Sequence, residues 1–257
     1  MLFLLTKIVW TFVKHQLLSH KTLGYNTLEE DDFSRWTAML IDWNFIDTVF
    51  IDMDGTLLDL NFDNEFWTRH LPLRCSELLN QPLREVQDKI RSLLSEHLGT
   101  LNWYSTKFWS QELCVDILEL KREISHLIKE RPGGMLFLKT LLSMNKSRIL
   151  LTNADRGDLR IKCSKTDLIN NVDLIISSHD YGFPKESTKF WEHLRQNVNF
   201  DPQKALFIDD SEVVLHSAKI YGIAFLTGIE KPDSRAKKNK YSDFVALQHF
   251  DDLIRAN

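Results

Sequence analysis

Two pairs of aspartates are the residues of this sequence best suited to chemistry. Asp52 and Asp54 lie two positions apart, just before a Gly-Thr turn, and Asp209 and Asp210 form a second pair far along the chain. Side chains two positions apart on an extended chain point to the same side, so Asp52 and Asp54 can reach one small site. One carboxylate could attack an electrophile while the other transfers a proton, which is covalent catalysis assisted by an acid and base.

The same four carboxylates predict a site for a divalent metal ion. Crowded together, they repel one another strongly unless a cation lies between them. Oxygen ligands and a hard charge are typical of Mg²⁺ sites. The sequence therefore predicts that Asp52, Asp54, Asp209 and Asp210 surround a Mg²⁺ ion.

Three further residues could bind the anion on which a nucleophilic aspartate acts. Thr152, Asn153 and Lys185 supply a hydroxyl, an amide and a positive charge. Together with Mg²⁺ they would neutralise the equatorial oxygens of a phosphoryl group during its transfer. Asp52 would then be placed for in-line attack, and Asp54 for proton transfer to the leaving oxygen. Taken singly, Thr152 and Asn153 are as suited to capping a helix, and Lys185 to the surface.

Five short apolar runs, each of which stops at polar residues or a glycine turn, predict the framework. The first run spans residues 48–51, and comparable runs span residues 148–151, 172–176, 205–208 and 223–226. Runs of this kind are typical of buried parallel strands, and the segments between them show helical periodicity. We expect an α/β fold, a Rossmann-like parallel sheet flanked by helices, with ligands bound beyond the carboxyl ends of the strands.

Residues 62–130 interrupt this alternation. They contain no strand-like run, and their apolar residues recur at three- and four-residue spacing, which predicts several helices. We expect a helical domain here, inserted into a core domain formed by residues 39–61 and 131–257. Its aromatic residues are expected to pack in the core of this domain, although Trp103 or Tyr104 could instead stack on a bound ring.

Composition excludes several classes of function. The net charge is -4, with 32 basic and 36 acidic residues, so no broad positive surface for nucleic acid is expected. The three cysteines have no paired spacing, which argues against disulfides and zinc and favours a reducing cytoplasm.

Residues 1–38 form a predicted N-terminal extension of unknown role. Lys7 and Lys14 interrupt its apolar residues before they could span a membrane, and the order of charged and apolar residues does not fit a secretory signal. An amphipathic surface helix and a true start at Met39 are the alternatives.

The ordered motifs resemble those of the haloacid dehalogenase superfamily. The matching residues, in chain order, are Asp52 to Thr56, Thr152-Asn153, Lys185 and Asp209-Asp210-Ser211. The resemblance implies that Asp52 is the nucleophile, Asp54 the acid and base, and Asp210 a Mg²⁺ ligand, with Asp209 as a direct or water-mediated partner. It also implies that the helical insertion is a cap.

Several longer stretches are similar to those of bacterial GMP/IMP nucleotidases, namely FIDMDGTLLDLNFDNEFW, TLNWYSTKFW, RILLTNA, YGFPKE and KPDS. This resemblance implies a phosphoric monoester hydrolase whose small-molecule substrates are purine nucleoside 5′-monophosphates. The alternatives are a sugar phosphatase or phosphomutase of the same superfamily, or a catalytically silent interaction protein. A dehalogenase is disfavoured because it needs neither Asp54 nor Mg²⁺.

Overall fold

The computed structural model describes residues 41–254 of the chain. The predicted extension, residues 1–38, and the alternative start at Met39 lie outside the described residues. Among the helices that are described, none combines the length and apolar character needed to cross a membrane. The three cysteines are all free thiols.

A parallel sheet of six strands forms the centre of the fold. The strands are β1 (Thr48–Ile51), β2 (Ser147–Thr152), β3 (Leu174–Ser177), β4 (Ala205–Ile208), β5 (Phe225–Ile229) and β6 (Ala246–Leu247). Their order in the sheet is β3-β2-β1-β4-β5-β6. Each neighbouring pair is parallel. All four residues of β1 are buried, as expected for a central strand covered on both faces.

Helices cover both faces of this sheet, which confirms the predicted fold class. Outside the insertion they are α7 (Gly134–Ser143), α8 (Arg156–Cys163), α9 (Leu168–Asn171), α10 (Thr188–Asn197) and α11 (Glu212–Tyr221), numbered after the six helices of the insertion described below.

The sheet separates two hydrophobic cores. Successive residues of a strand pack in different cores, because their side chains alternate between the two faces of the sheet. Val49 and Ile51 pack in the core that contains Leu138 of α7. Phe50 packs in the second core, with Trp191 of α10.

The strand boundaries differ from the sequence prediction at the far edge of the sheet. β5 begins at Phe225, two residues later than expected, and includes Thr227, where the strand was expected to have ended. The Ile223 amide still donates to the Ala218 carbonyl (3.1 Å), so Ile223 belongs to the end of the preceding helix. β6 was not predicted, because two residues are too few for an alternating pattern.

The insertion between β1 and β2 is helical, as the sequence predicts. It contains α1 (Asn61–Glu65), a π-helical turn (Phe66–His70), α2 (Leu71–Leu79), α3 (Leu83–His97), α4 (Leu101–Tyr104), α5 (Thr106–Leu113), α6 (Ile117–Glu123) and a 3₁₀ turn (Ser125–Leu127). Trp109 is fully buried, and the rings of Trp67 and Trp109 are 4.9 Å apart. Part of the aromatic cluster is therefore packing core. We refer to residues 61–130 as the helical insert.

The two ends of the helical insert lie side by side. Leu58 and Glu130 form an isolated antiparallel bridge. The Asp59 amide donates to the Lys129 carbonyl (2.9 Å), and the Arg131 amide donates to the Leu57 carbonyl (2.8 Å). The chain thus leaves the sheet and returns to it through one paired stem.

Candidate active site

Three adjacent strands deliver the predicted site residues to one place. Asp52 follows β1, Thr152 ends β2 and Asp209 follows β4, and β1 lies between the other two. The carboxyl ends of these strands open into a cavity of about 310 Å³. All seven residues predicted from the sequence line it, namely Asp52, Asp54, Thr152, Asn153, Lys185, Asp209 and Asp210.

Lys185 is a buried cation between two buried carboxylates. Only 2% of its surface is exposed. Its ammonium group donates to Asp52 Oδ1, to Asp209 Oδ2 (2.7 Å) and to the Leu151 carbonyl (3.2 Å). Burial by itself would lower the pKa of Lys185, but the charges of Asp209 and Asp52 raise it above its ordinary value. Lys185 therefore stays protonated and is not an ordinary surface lysine.

Three carboxylates meet beside this lysine in a group that fits a cation. Asp52, Asp209 and Asp210 each offer an oxygen within 4.8 Å of the others. Asp52 Oδ2 is buried and has no hydrogen-bond partner. Burial raises the pKa of Asp52 to about 6 despite the opposing charge of Lys185. Burial and the neighbouring Asp52 and Asp209 charges also raise the pKa of Asp210. Oxygen ligands of this kind fit a hard divalent ion, which would relieve the crowding.

Gly55 makes room for Asp210 in this group. Its φ angle is +84°, a conformation that side chains rarely adopt. A Cβ atom at this position would lie 2.3 Å from Asp210 Oδ2 and 3.0 Å from the Cβ of Pro232. The glycine of the Asp-x-Asp-Gly turn therefore allows the two acidic segments to approach each other.

Asp54 has different surroundings from the other three aspartates. Its Oδ1 accepts a hydrogen bond from the ammonium of Lys162 (2.7 Å). Its side chain is not in the group of three carboxylates that could share an ion. Burial raises the pKa of Asp54 to about 7, with Lys162 opposing and Asp63 adding to the rise. A carboxyl group that titrates near neutrality suits an acid and base, and the predicted metal role of this side chain stays a prediction.

Thr152 and Asn153 shape the turn after β2. Thr152 Oγ1 accepts from the Ala154 amide (3.0 Å), and Asn153 Oδ1 accepts from the Lys185 amide (2.9 Å). The helix that follows, α8, is capped by Asp155, whose side chain accepts from two amides of its first turn. Neither Thr152 nor Asn153 is therefore the cap of this helix, and both remain available to an anion in the cavity.

Two contacts between the helical insert and the core were not predicted. Tyr104 of the insert donates its hydroxyl to Glu186 (2.5 Å), the residue after Lys185, and Glu186 also accepts from the side-chain Nδ2 of Asn153 (3.0 Å). Thr106 donates its amide and hydroxyl to Asp155 (both 2.6 Å). Glu186 is part of the YGFPKE stretch, but nothing in the sequence indicates that it binds Tyr104, 82 positions away in the helical insert.

A second group of buried charged residues was also not predicted from the sequence. Lys121, Asp158 and Lys162 line the cavity, and each is at most 4% exposed. Asp63 joins them and binds both lysines. Asp158 and Lys162 lie four positions apart, a spacing that is visible in the sequence but is also typical of ion pairs on the surface of a helix.

Comparisons with known proteins agree with this geometry. Residues 46–222 match the haloacid dehalogenase-like hydrolase family. The chain is 36% identical over 214 residues to the GMP/IMP nucleotidase YrfG of Escherichia coli (strain K12), an alignment that covers 83% of this chain and 96% of that relative.

Solved structures show the same fold at lower sequence identity. A HAD phosphatase from Thermococcus onnurineus superposes with a TM-score of 0.68 at 19% identity, over 82% of this chain and 97% of that one. The L-2-haloacid dehalogenase of Xanthobacter autotrophicus superposes with a TM-score of 0.56 at 16% identity, with the same coverage. Sequence motifs, site geometry and relatives all agree, and the chain belongs to the haloacid dehalogenase-like hydrolases.

Proposed function

We propose that this enzyme is a Mg²⁺-dependent phosphatase that hydrolyses purine nucleoside 5′-monophosphates through an aspartyl-phosphate. The observation that carries the reaction type is the unpartnered Asp52 Oδ2 in a buried cavity that also holds a protonated lysine. The substrate class rests on the 36% identity to a GMP/IMP nucleotidase over nearly the whole of that relative.

In the proposed reaction Asp52 Oδ2 attacks phosphorus, and the bond from phosphorus to the ester oxygen breaks. Asp54 gives its proton to the leaving oxygen of the nucleoside. Asp54 then accepts a proton from water, which attacks the aspartyl-phosphate and releases inorganic phosphate and free Asp52. Thr152 and Asn153 bind the phosphate oxygens throughout, and the positive charge of Lys185, whose N–H groups bind Asp52, Asp209 and the Leu151 carbonyl, stabilises them.

Mg²⁺ held by Asp52 and Asp210, with Asp209 as a direct or water-mediated partner, would supply positive charge next to the phosphoryl group. The proposal for these ligands rests on the crowding of their oxygens within 4.8 Å. Lys185 complements this charge from the other side of Asp52, where it binds Oδ1 and leaves Oδ2 unpaired.

The helical insert is proposed to act as a cap over the leaving group. Trp67, Trp103 and Tyr104 of the insert line the same cavity as the catalytic aspartates. Aromatic rings and charged groups in one cavity suit a molecule with a flat base and a phosphate. The contacts of Tyr104 with Glu186 and of Thr106 with Asp155 would keep the cap closed and water excluded during ester cleavage.

A panel of phosphate esters tests this proposal. We expect phosphate release from IMP and GMP with kcat/KM at least about tenfold above that for CMP, glucose 6-phosphate and p-nitrophenyl phosphate. EDTA should abolish release, and Mg²⁺ should restore it. Efficient release from sugar phosphates alone would favour a sugar phosphatase. Conversion of a sugar phosphate without phosphate release would identify a mutase, and inactivity towards every ester would favour an interaction protein.

Substitution of Gly55 tests whether Asp210 must lie where the structure places it. Gly55→Ala should lower kcat/KM for IMP about 100-fold, since the new Cβ would displace the Asp210 carboxylate. Gly182→Ala is the matched control, because Gly182 has a similar φ of +77° but no atom within 4 Å of an added Cβ. Both variants should lose stability of about 1–2 kcal/mol in thermal unfolding, and only the first should lose activity. Equal activity in the two variants would contradict the role given to Asp210.

A further inference from the structure

Lys162 makes two charge-assisted hydrogen bonds and one further ion pair in the wall of the cavity. It lies on α8 and is 1% exposed. Its ammonium donates to Asp54 Oδ1 (2.7 Å) and Asp63 Oδ2 (2.8 Å), and it lies 3.0 Å from Asp158 Oδ2. Three carboxylates therefore surround the ammonium and restrain its position.

The helical insert supplies the second cation of this cluster. Lys121 of α6 is 3% exposed and lies 2.7 Å from Asp158 Oδ2 and 3.2 Å from Asp63 Oδ1. Two lysines therefore bracket the carboxylates of Asp63 and Asp158. Both ammonium groups also lie 5.6 Å from the centre of the Phe62 ring. The insert therefore holds Lys162 through Asp63, which Lys121 binds as well.

The contact with Asp54 is the feature that connects this cluster to the reaction. Lys162 holds Oδ1 of Asp54, whereas Oδ2 makes no hydrogen bond to any described residue. A carboxyl group anchored through one oxygen keeps the other in a fixed direction. Proton transfer needs that direction, because the donor must lie within hydrogen-bond reach of the leaving oxygen.

We propose that Lys162 is a positioning residue that aims Asp54 at the leaving oxygen, and that Lys121 completes this arrangement when the insert is docked on the core. The inference rests on the proposed function, in which Asp54 protonates the leaving group. Lys162 does not touch the reacting phosphorus in this scheme. It acts through Asp54, and so its loss should affect substrates according to how much their leaving groups need a proton.

Phenyl phosphate and p-nitrophenyl phosphate provide this comparison, since they share one ring and differ in the basicity of the leaving phenolate. The first turnover, measured by rapid quench with enzyme in excess over each ester, isolates cleavage of the ester from hydrolysis of the aspartyl-phosphate. Lys162→Met should slow the first turnover of phenyl phosphate about 100-fold and that of p-nitrophenyl phosphate by less than about threefold. Lys121→Met should show the same preference with a smaller ratio.

A double-mutant cycle with Asp54→Asn separates positioning from a merely structural role. If Lys162 acts through Asp54, adding Lys162→Met to Asp54→Asn should slow phenyl phosphate little further, because the two residues work as a unit. Lys89→Met, at an exposed lysine of α3, is the control and should stay within about twofold of wild type. Equal slowing of the two esters by Lys162→Met, or multiplying effects in the cycle, would overturn the proposal.

A second variant and the choice of aryl esters keep the test decisive. Lys162→Gln retains an N–H donor and should recover part of the selective loss; if Lys162→Met does not fold, the ratio between the two esters is read on Lys162→Gln instead. The aryl esters also separate this inference from the substrate proposal. A wild-type enzyme that cleaves them but not IMP refutes the nucleotidase assignment, while the ratio between the esters still decides the role of Lys162.

Discussion

Replacing Asp52 by asparagine should lower the turnover of IMP by at least about 10⁴-fold without unfolding the protein. Asparagine has nearly the same size, but its amide cannot form the acyl phosphate that the proposed reaction requires. The measurement is kcat from phosphate release, together with acid quench of the enzyme mixed with ³²P-labelled IMP. Wild type should retain label on the protein, and Asp52→Asn should retain none.

Asp116→Asn is a suitable control for this experiment. Asp116 caps α6 by accepting a hydrogen bond from the Glu119 amide (3.0 Å), and asparagine caps helices equally well. Its turnover should lie within about twofold of wild type, since it removes a carboxylate of the insert without touching the cavity. Activity of Asp52→Asn within about tenfold of wild type would place the nucleophile elsewhere.

Replacing Lys185 by methionine should affect both activity and stability. Asp52 and Asp209 would lose the buried cation that lies between them, which leaves two uncompensated carboxylates at 5% and 1% exposure. Removal of one member of a buried ion pair costs about 3–5 kcal/mol, so we expect a loss of this size in the free energy of unfolding at pH 7 without Mg²⁺. Turnover of IMP should fall about 10³-fold, since the phosphate loses its positive partner.

The pH dependence of this destabilisation has a definite sign. Without Lys185, the pKa of Asp52 in the folded protein rises further above its unfolded value, so the folded state favours the protonated carboxyl. The stability lost in Lys185→Met should therefore be partly regained as the pH falls from 7 towards the unfolded value of about 4. Saturating Mg²⁺ should also restore part of it, because the ion would separate the same carboxylates.

Lys204→Met is the control for these stability measurements. Lys204 pairs with Asp47 at 3.2 Å on the surface, with half of each side chain or more exposed. Pairs of this kind contribute about 0–1 kcal/mol, and neither pH nor Mg²⁺ should change the result much. A Lys185→Met variant that is as stable as Lys204→Met would mean that the buried carboxylates do not need the lysine.

The positions of the candidate catalytic residues could be predicted because they follow strands. A parallel strand such as β1 is recognisable from a few buried residues, and the chain must place the next side chains at one edge of the sheet. Asp52 and Asp209 are therefore neighbours although 157 positions separate them, as their numbers give. The sequence also contains the residue that replaces Thr152 as the helix cap. Asp155 directly precedes the helix and caps it.

The charged cluster around Lys162 could not be predicted in the same way. Helical periodicity shows which residues share a face, but not which other helix that face meets. Lys121 and Lys162 resemble solvated lysines in the sequence, and their burial depends on how the insert packs on the core. The start of β5 was misplaced for a related reason, since the hydrogen bond from Ile223 to Ala218 belongs to the end of a helix.

The paired stem at Leu58 and Glu130 has a consequence for how such enzymes diversify. Because the bridge and the flanking backbone hydrogen bonds bring both ends together, excising the residues between them would require only a short turn to reconnect the sheet. A different module could be transplanted onto this hairpin-like base while Asp52, Lys185 and Asp209 keep their places. Substrate range can then evolve separately from the chemical step, by exchange of one contiguous piece of gene.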